Sequence, residues 1–157
     1  LLSIVGGDQG QHDGARKVPP EVVTLGKQAE LSYQQWLHTR DKAAMSQALD
    51  AQKKVVDLLP RDPDARLMLG TLLYYSGRDQ EAEKEARVAL ELEPDNPQIN
   101  KLLGRILVQM SRERDGLPFL RRAVALSPRD HEGWYKLGAV LFELGERKEA
   151  ADCFATA

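Results

Sequence analysis

Apolar residues recur along most of the chain at the spacing that places them on one face of an α-helix. Residues 131–143 carry such a stripe at intervals of three and four, formed by Trp134, Leu137, Gly138 and Leu141. A turn signal at 144–146 follows, and then a second stripe of small and apolar residues: Ala150, Phe154 and Ala157. This period predicts amphipathic helices in pairs and an all-α chain.

The helix pairs return every 34 residues. Five columns of residues keep that interval: Pro60, Pro94 and Pro128; Gly70, Gly104 and Gly138; Leu69, Leu103 and Leu137; Ala48, Ala82, Gly116 and Ala150; Ala89, Ala123 and Ala157. A period of this length fits a helical hairpin. The predicted units are residues 29–62, 63–96, 97–130 and 131–157, and the last of them is incomplete.

Each column has a mechanical role. A glycine inside a helix costs about 1 kcal/mol relative to alanine, so the glycine column indicates close approach of the paired helix. The small residues of the second helix serve the same contact from the other side. The prolines end the second helix, and the Asp or Asn after each of them caps the next helix.

The fourth unit resembles the tetratricopeptide repeat (TPR) consensus. That consensus has Trp, Leu-Gly, Tyr, Ala, Phe and Ala in the slots held here by Trp134, Leu137-Gly138, Leu141, Ala150, Phe154 and Ala157. The second and third units match through their Leu-Gly, Ala and Pro residues, whereas the first has Gln35-Trp36 in place of Leu-Gly. The resemblance covers residues 29–157. It implies a right-handed α-solenoid of about four repeats, the first degenerate, whose first helices line a concave face that holds a segment of a partner.

Residues 1–28 differ from the repeats. Residues 1–18 are expected to form a flexible Gly-rich leader, and residues 19–28 a helical extension that starts at Pro19-Pro20 and continues into a helix ending at Thr39. The leader lacks the pattern of a phosphate-binding loop. Its apolar residues Leu1, Leu2, Ile4 and Val5 are interpreted as a truncation remnant or as a segment that docks on the array.

Composition and charge narrow the function. Hydrophobic residues make up 42% and charged residues 29% of the chain, with a net charge of −2, which argues against a disordered tail and a general nucleic-acid binder. No apolar run has the roughly 20 residues of a membrane span. The chain starts at Leu1 rather than Met and ends inside a helical pattern, so we expect it to be cut from a longer protein.

No residues suggest catalysis or a cofactor. The histidines are scattered, and neither a catalytic motif nor a metal-ligand spacing is present, so we predict no enzyme activity, no metal site and no cofactor. Cys153 is the only cysteine and lies between expected core positions, which favours a small buried side chain over a nucleophile.

Function is instead expected on the concave face. Its side chains should lie one residue past the core stripe, about 100° around each first helix. The predicted binding residues are Tyr33, Thr71, Tyr74, Tyr75, Lys101, Arg105, Tyr135 and Phe142. Lys101 and Arg105 are four apart and predict a basic spot, so a partner with apolar anchors and one or two carboxylates would fit. The alternative is that some tyrosines only seal the contact between neighbouring first helices.

One TPR sub-family clamps the C-terminal carboxylate of chaperones through Lys, Asn and further basic residues. The corresponding slots here hold Tyr33, Leu37, Met68, Gln98 and Leu102. Moving the register by one unit places Leu67, Thr71, Leu102, Glu132 and Lys136 there. We therefore predict that this clamp is absent.

Charge is distributed unevenly among the units. Unit 63–96 has a net charge of −4 and unit 97–130 a net charge of +4. One interpretation is complementarity between neighbouring units of the stack. The other is a convex basic patch for an acidic or anionic surface, formed by Arg112, Arg114, Arg121 and Arg122.

These features predict a non-catalytic scaffold or adaptor that binds a partner peptide or helix and helps to assemble a multiprotein complex. Two alternatives stay open. The first is a homo-oligomeric TPR scaffold at a membrane or organelle surface, a layout that resembles magnetosome-associated TPR proteins. The second is the recruiting arm of a larger enzyme. The expected location is cytoplasmic or peripheral to a membrane.

Overall fold

The computed structural model describes residues 17–157, and within them the chain is all-α, without strands. Its helices are α1 (Pro20–Thr39), α2 (Lys42–Leu58), α3 (Pro63–Tyr75), α4 (Asp79–Leu92), α5 (Pro97–Gln109), α6 (Glu113–Leu126), α7 (His131–Glu143) and α8 (Arg147–Thr156). Contacts divide the chain into two compact units, one ending at Leu58 and one covering Leu59–Ala157. Except for residues 17 and 18, the predicted Gly-rich leader lies outside the described residues.

The helices α3, α5 and α7 begin where the sequence places a proline or a capping residue. The side chain of Asp62 accepts a hydrogen bond from the Ala65 N–H at 2.7 Å. Asn96 caps α5 in the same way, and Asp130 caps α7 through the Gly133 N–H. These bonds satisfy backbone donors that the first helical turn leaves without partners.

Tight turns join the two helices of each hairpin in the second unit. Gly77 and Gly145 occupy the left-handed region with φ of 76° and 85°. Ser111 holds the equivalent place between α5 and α6 with φ of 58°. A side chain is therefore present at one of three turns whose backbone favours glycine.

The glycine column allows the close approach that the sequence predicts. A Cβ built on Gly104 would lie 2.7 Å from the side chain of Leu120 on α6. One built on Gly138 would lie 2.8 Å from the ring of Phe154 on α8. Since such distances are shorter than carbon–carbon contact, α5 and α7 could not keep these positions with alanine.

The core of the second unit follows the apolar stripes, with Leu72, Leu103, Ile106, Leu137 and Leu141 almost fully buried.

A repeated polar contact fixes the start of each hairpin. Arg66, Asn100 and Trp134 stand 34 residues apart, and each donates a side-chain hydrogen bond to the carbonyl of the proline six residues earlier. Three different residue types therefore make the same bond, which joins each first helix to the chain before it.

The first unit consists of α1 and α2. The single long helix expected up to Thr39 is present, and Ala29 and Ser32 are buried on it. Helix α2 is buried through three alanines and through larger apolar side chains, which are Met45, Leu49, Val55 and Val56. The two helices pack against each other to form this unit.

Candidate protein-binding surface

The predicted binding residues lie on the first helices of the hairpins. In the second unit these are α3, α5 and α7, and α3 contacts α5 directly. The set comprises Thr71, Tyr74 and Tyr75 on α3, Lys101 and Arg105 on α5, and Tyr135 and Phe142 on α7. We call these seven residues the first-helix surface.

An aromatic pair and a guanidinium form the centre of the first-helix surface. The rings of Tyr74 and Tyr75 meet edge to face, with centroids 5.2 Å apart. The Arg105 guanidinium lies 5.0 Å from the ring centroid of Tyr74 and 5.9 Å from that of Tyr75. Burial would lower the pKa of Arg105, but its hydrogen bond with Tyr75 and its interaction with both rings leave that pKa above the ordinary value. The cation and the two rings therefore support one another.

Lys101 and Arg105 do not form the free basic spot that the sequence predicts. The Lys101 Nζ lies 2.8 Å from an Asp130 carboxylate oxygen and 3.5 Å from Glu132. Arg105 lies 3.8 Å from the other oxygen of Glu132. Two carboxylates therefore balance the two cations, which weakens the expected attraction for a carboxylate-bearing partner. Sequence reasoning counted charges within one helix and overlooked the start of the next hairpin.

Asp130 is the most constrained acid of this network. Burial would raise its pKa, but the hydrogen bonds from Lys101 and the Gly133 N–H, together with the Lys101 charge, hold that pKa below the ordinary value. The carboxylate serves α7 as a cap and α5 as an ion-pair partner. The Asp130 carboxylate therefore links two hairpins and is not available to bind a ligand.

The other predicted residues differ in how accessible they are. The Thr71 hydroxyl donates to the Leu67 carbonyl at 2.8 Å within its own helix, so its proton is not free for a partner. Tyr75 is 38% exposed, whereas Tyr135 and Phe142 are 57% and 58% exposed. The first-helix surface thus offers aromatic rings more readily than polar groups.

Tyr33 belongs to the first unit and is described there. Its ring stacks on Trp36 with centroids 5.8 Å apart, and the Arg40 guanidinium lies 4.4 Å from the ring centroid of Trp36. Tyr33 and Arg40 thus both contact the indole of Trp36, the residue that replaces the consensus glycine in the degenerate repeat.

The four arginines of the predicted convex patch have partners of their own. Arg112 pairs with Glu83 and Asp115, and Arg121 pairs with Glu149 at 2.9 Å. Arg122 pairs with Asp95. Three of the four are therefore engaged with carboxylates, mostly from neighbouring hairpins, and only Arg114 has no such partner among the described residues. This arrangement is the complementarity between neighbouring units that the charge pattern offered as the first interpretation.

Cys153 is buried, as the sequence predicts, and burial raises the pKa of its thiol. It lines an open groove of about 390 Å³ between α6 and α8, together with Val124, Trp134 and Leu137. Within residues 17–157, no three His, Cys, Asp or Glu side chains converge in a way that could hold a metal ion. Nor does any helix of that range combine the length and the apolar character needed to cross a membrane.

The sequence analysis missed the pairing of Asp130 and Glu132 with α5 and the exposure of Phe154. A signal for the pairing was present, because charge partners between neighbouring hairpins lie 27 to 31 residues apart. That separation is slightly less than the repeat period, so opposite charges at that interval predict a contact.

Comparison with known proteins agrees with this geometry. Models of the tetratricopeptide repeat match residues 42–106 and 101–157. The crystal structure of MamA is similar with a TM-score of 0.74 and 20% identity, over 88% of this chain and 77% of that chain. YrrB, described as a TPR protein with an unusual peptide-binding site, has a TM-score of 0.70 and 24% identity, over 86% of this chain and 66% of its own.

A third similar structure contains a peptide. The first TPR of Spaghetti (RPAP3), bound to an HSP90 peptide, has a TM-score of 0.71 and 15% identity, over 80% of this chain and 96% of that chain. No curated protein sequence matches this chain significantly. At these identities, the likeness to solved structures establishes the fold.

Proposed function

This chain belongs to the tetratricopeptide repeat family, and on that premise we propose that it is a protein-interaction scaffold. Its first-helix surface holds a segment of a partner protein, and no chemistry takes place there. A solenoid of this family presents its first helices together, so one extended or helical segment can touch several repeats.

One observation carries the proposal: aromatic rings on this surface are exposed while the charges beside them are already balanced. Tyr75 is exposed beside Arg105, which is held by the tyrosines and by Glu132. Tyrosine offers large contact area with few rotatable bonds and is frequent at interaction hot spots. The partner is therefore expected to contribute apolar or aromatic anchors.

The balanced charges also define what the partner lacks. A carboxylate from a partner would have to displace Asp130 or Glu132 from Lys101, at the cost of an existing ion pair. Apolar anchors require no such exchange. This differs from the carboxylate-bearing partner that the sequence alone suggested.

The solved structures support binding of this kind in other members of the fold. YrrB is described with a peptide-binding site, and the RPAP3 repeat is bound to a peptide. The comparison supports peptide binding as the mode of interaction for this chain. Which partner binds depends on the side chains of this chain's own first-helix surface.

The test uses fluorescein-labelled synthetic peptides of one length, with leucine and phenylalanine anchors or with serine in their place. Fluorescence anisotropy should detect binding of the anchored peptide to the full chain and none of the serine peptide. Tyr75→Ser should weaken binding about tenfold, as expected when a hot-spot contact is lost. Leu31→Ser is the matched control, because Leu31 is 70% exposed and lies in the first unit.

Two results would contradict this function. One is equal binding of the anchored and serine peptides, and the other is an equal loss of affinity in the Tyr75 and Leu31 variants. The HSP90 peptide is a further probe, and we expect no binding, because the clamp slots hold residues such as Tyr33, Met68 and Gln98. Tight binding of that peptide would show that the predicted absence of a carboxylate clamp is wrong.

A further inference from the structure

Side chains from α3, α5 and α7 meet at one cation of the first-helix surface. The Arg105 guanidinium on α5 lies 5.0 Å from the ring centroid of Tyr74 and 5.9 Å from that of Tyr75, both on α3. A carboxylate oxygen of Glu132 on α7 lies 3.8 Å from the same guanidinium. Aromatic rings and carboxylates are the groups that attract cations in proteins. Tyr74, Tyr75 and Glu132, which we call the cation cluster, therefore form a cation site whose occupant belongs to this chain.

The occupant is held closely and stays charged. The side chain of Arg105 is only 20% exposed. Burial would lower its pKa, but the hydrogen bond with Tyr75 and the interaction with both rings leave that pKa above the ordinary value. A second cation, the Lys101 Nζ, lies 3.5 Å from the Glu132 carboxylate. The cation cluster is therefore filled from within the chain.

A filled cation cluster treats charged and uncharged anchors of a partner differently. A lysine or arginine beside Tyr75 would compete for rings that Arg105 already contacts, and the two like charges would repel in a partly buried place where salt screens little. A carboxylate would have to displace Glu132. An uncharged anchor meets neither obstacle and can use the exposed part of Tyr75.

We propose that Arg105 is a specificity-determining residue, which occupies the cation cluster and thereby excludes partner segments with lysine or arginine at the anchor position. This inference rests on the proposed function, because it concerns which anchors the first-helix surface accepts. Proteins discriminate between partners through repulsive groups as well as attractive contacts. Removing Arg105 should therefore let the cation cluster accept a cation from a partner.

The test adds a third fluorescein-labelled peptide of the same length, with lysine at the anchor positions. The unchanged full chain should bind it no better than the serine peptide. Arg105→Ala leaves both rings and Glu132 open, so its affinity for the lysine peptide should be at least about fivefold higher. The affinity for the leucine and phenylalanine peptide should not rise. A merely structural role of Arg105 would predict no gain for any peptide.

Arg66→Ala is the matched control. The Arg66 side chain is 18% exposed and pairs with Glu85 at 2.6 Å, and it stands eight residues before Tyr74 on α3. Both substitutions remove one positive charge, so the general attraction for a cationic peptide changes equally. Arg105→Ala combined with Tyr75→Ser should lose most of the gain, which would locate it at the rings.

Circular dichroism checks that each variant is folded. If Arg105→Ala unfolds, Arg105→Gln replaces it in the test, because glutamine also removes the charge but keeps more of the side chain. Its affinity for the lysine peptide should change in the same direction.

Three outcomes would overturn the inference. The first is no gain for the lysine peptide in the folded Arg105 variant. The second is an equal gain for the leucine and phenylalanine peptide, which would mean that Arg105 only fills space. The third is an equal gain in Arg66→Ala. If the leucine and phenylalanine peptide fails to bind the unchanged chain, the proposed function fails, whereas the comparison with the lysine peptide is unaffected, so the two failures are distinguishable.

Discussion

Glycine has two separate roles in the hairpins, one in close contacts and one in backbone conformation. Gly104 and Gly138 lie inside helices, where a Cβ would meet the paired helix at less than 3 Å. Gly77 and Gly145 lie in turns, where a Cβ would meet nothing within 4 Å but φ is positive. Substitution should therefore be costly for a different reason at each kind of position.

Gly104→Ala tests the close contact. Its Cβ would lie 2.7 Å from Leu120 and 3.2 Å from the Gly116 carbonyl, so we expect the free energy of unfolding to fall by about 1–3 kcal/mol. Gly26→Ala is the control, because Gly26 lies within α1 with open space around it. That change should raise the free energy of unfolding by about 0.5–1 kcal/mol. Urea unfolding followed by circular dichroism measures both, and equal effects would contradict the contact.

Ser111→Gly tests the turn conformation. Ser111 has φ of 58° at the position that Gly77 and Gly145 hold in the other hairpins, and a left-handed conformation costs a side-chain-bearing residue about 1–2 kcal/mol. Glycine at position 111 would remove this cost from the folded chain. Part of the resulting gain in stability is offset by the greater conformational freedom of glycine in the unfolded chain. We expect a net stabilisation of about 0.5–1 kcal/mol in thermal or urea unfolding. Gly77→Ser should destabilise to a similar extent, and a loss of stability in Ser111→Gly would argue against strain.

At the scale of helices, the start of α7 is joined to α5 by a largely buried ion pair. Asp130 caps the helix through the Gly133 N–H and pairs with Lys101 on α5. Both side chains are largely buried, so the pair is less screened than the exposed pairs at Arg121 and Arg122. The joint between α5 and α7 should accordingly depend on pH.

The sign of that dependence follows from the lowered pKa of Asp130. The unfolded chain has an ordinary aspartate pKa of about 3.9, so around that pH it binds more protons than the folded chain. The contribution of Asp130 is complete above the unfolded pKa and disappears as the pH falls through the lower folded pKa. Acid should therefore weaken this joint.

Asp130→Asn isolates the charge, because asparagine is also a good helix cap. At neutral pH we expect the free energy of unfolding to fall by about 1–2 kcal/mol. The difference from the unchanged chain should shrink once the pH is below about 4. Urea unfolding at a series of pH values measures this, with Lys101→Met as the matched variant from the other side. A difference that is independent of pH would contradict the ion pair.

At the scale of the whole molecule, the two compact units are built from different numbers of hairpins. Residues 59–157 contain three hairpins with large buried side chains such as Leu72, Leu103 and Leu141. The described part of the first unit has only two helices, and the buried apolar residues of α2 are three alanines with Met45, Leu49, Val55 and Val56. Apolar burial stabilises in proportion to area, so the two units should differ in independent stability.

A chain of residues 59–157 alone should therefore fold. We expect a helical circular dichroism spectrum and cooperative unfolding in urea, whereas residues 17–58 alone should be mostly unfolded, because a single pair of helices buries too little apolar surface. Dispersed amide signals in an NMR spectrum would check both fragments. An unfolded 59–157 fragment would contradict the expectation that this unit has a core sufficient to fold by itself.

The sequence by itself determined the features that depend on local spacing. Helical period, capping residues and the 34-residue columns concern neighbours three, four or one repeat apart, so they placed the starts of α3, α5 and α7, the close contacts of Gly104 and Gly138, and the burial of Cys153. The repeat was detectable because each unit packs its two helices through the same residue types at the same positions.

Only the tertiary structure decided which charges are free and which rings are exposed. Lys101 and Arg105 look like a basic spot on α5, but stacking brings Asp130 and Glu132 against them. Phe154 fills a consensus core slot, yet it is 40% exposed beside Tyr135. A side chain's partner across a hairpin joint depends on the geometry of packing, because Coulomb attraction and burial act between groups that the chain order separates.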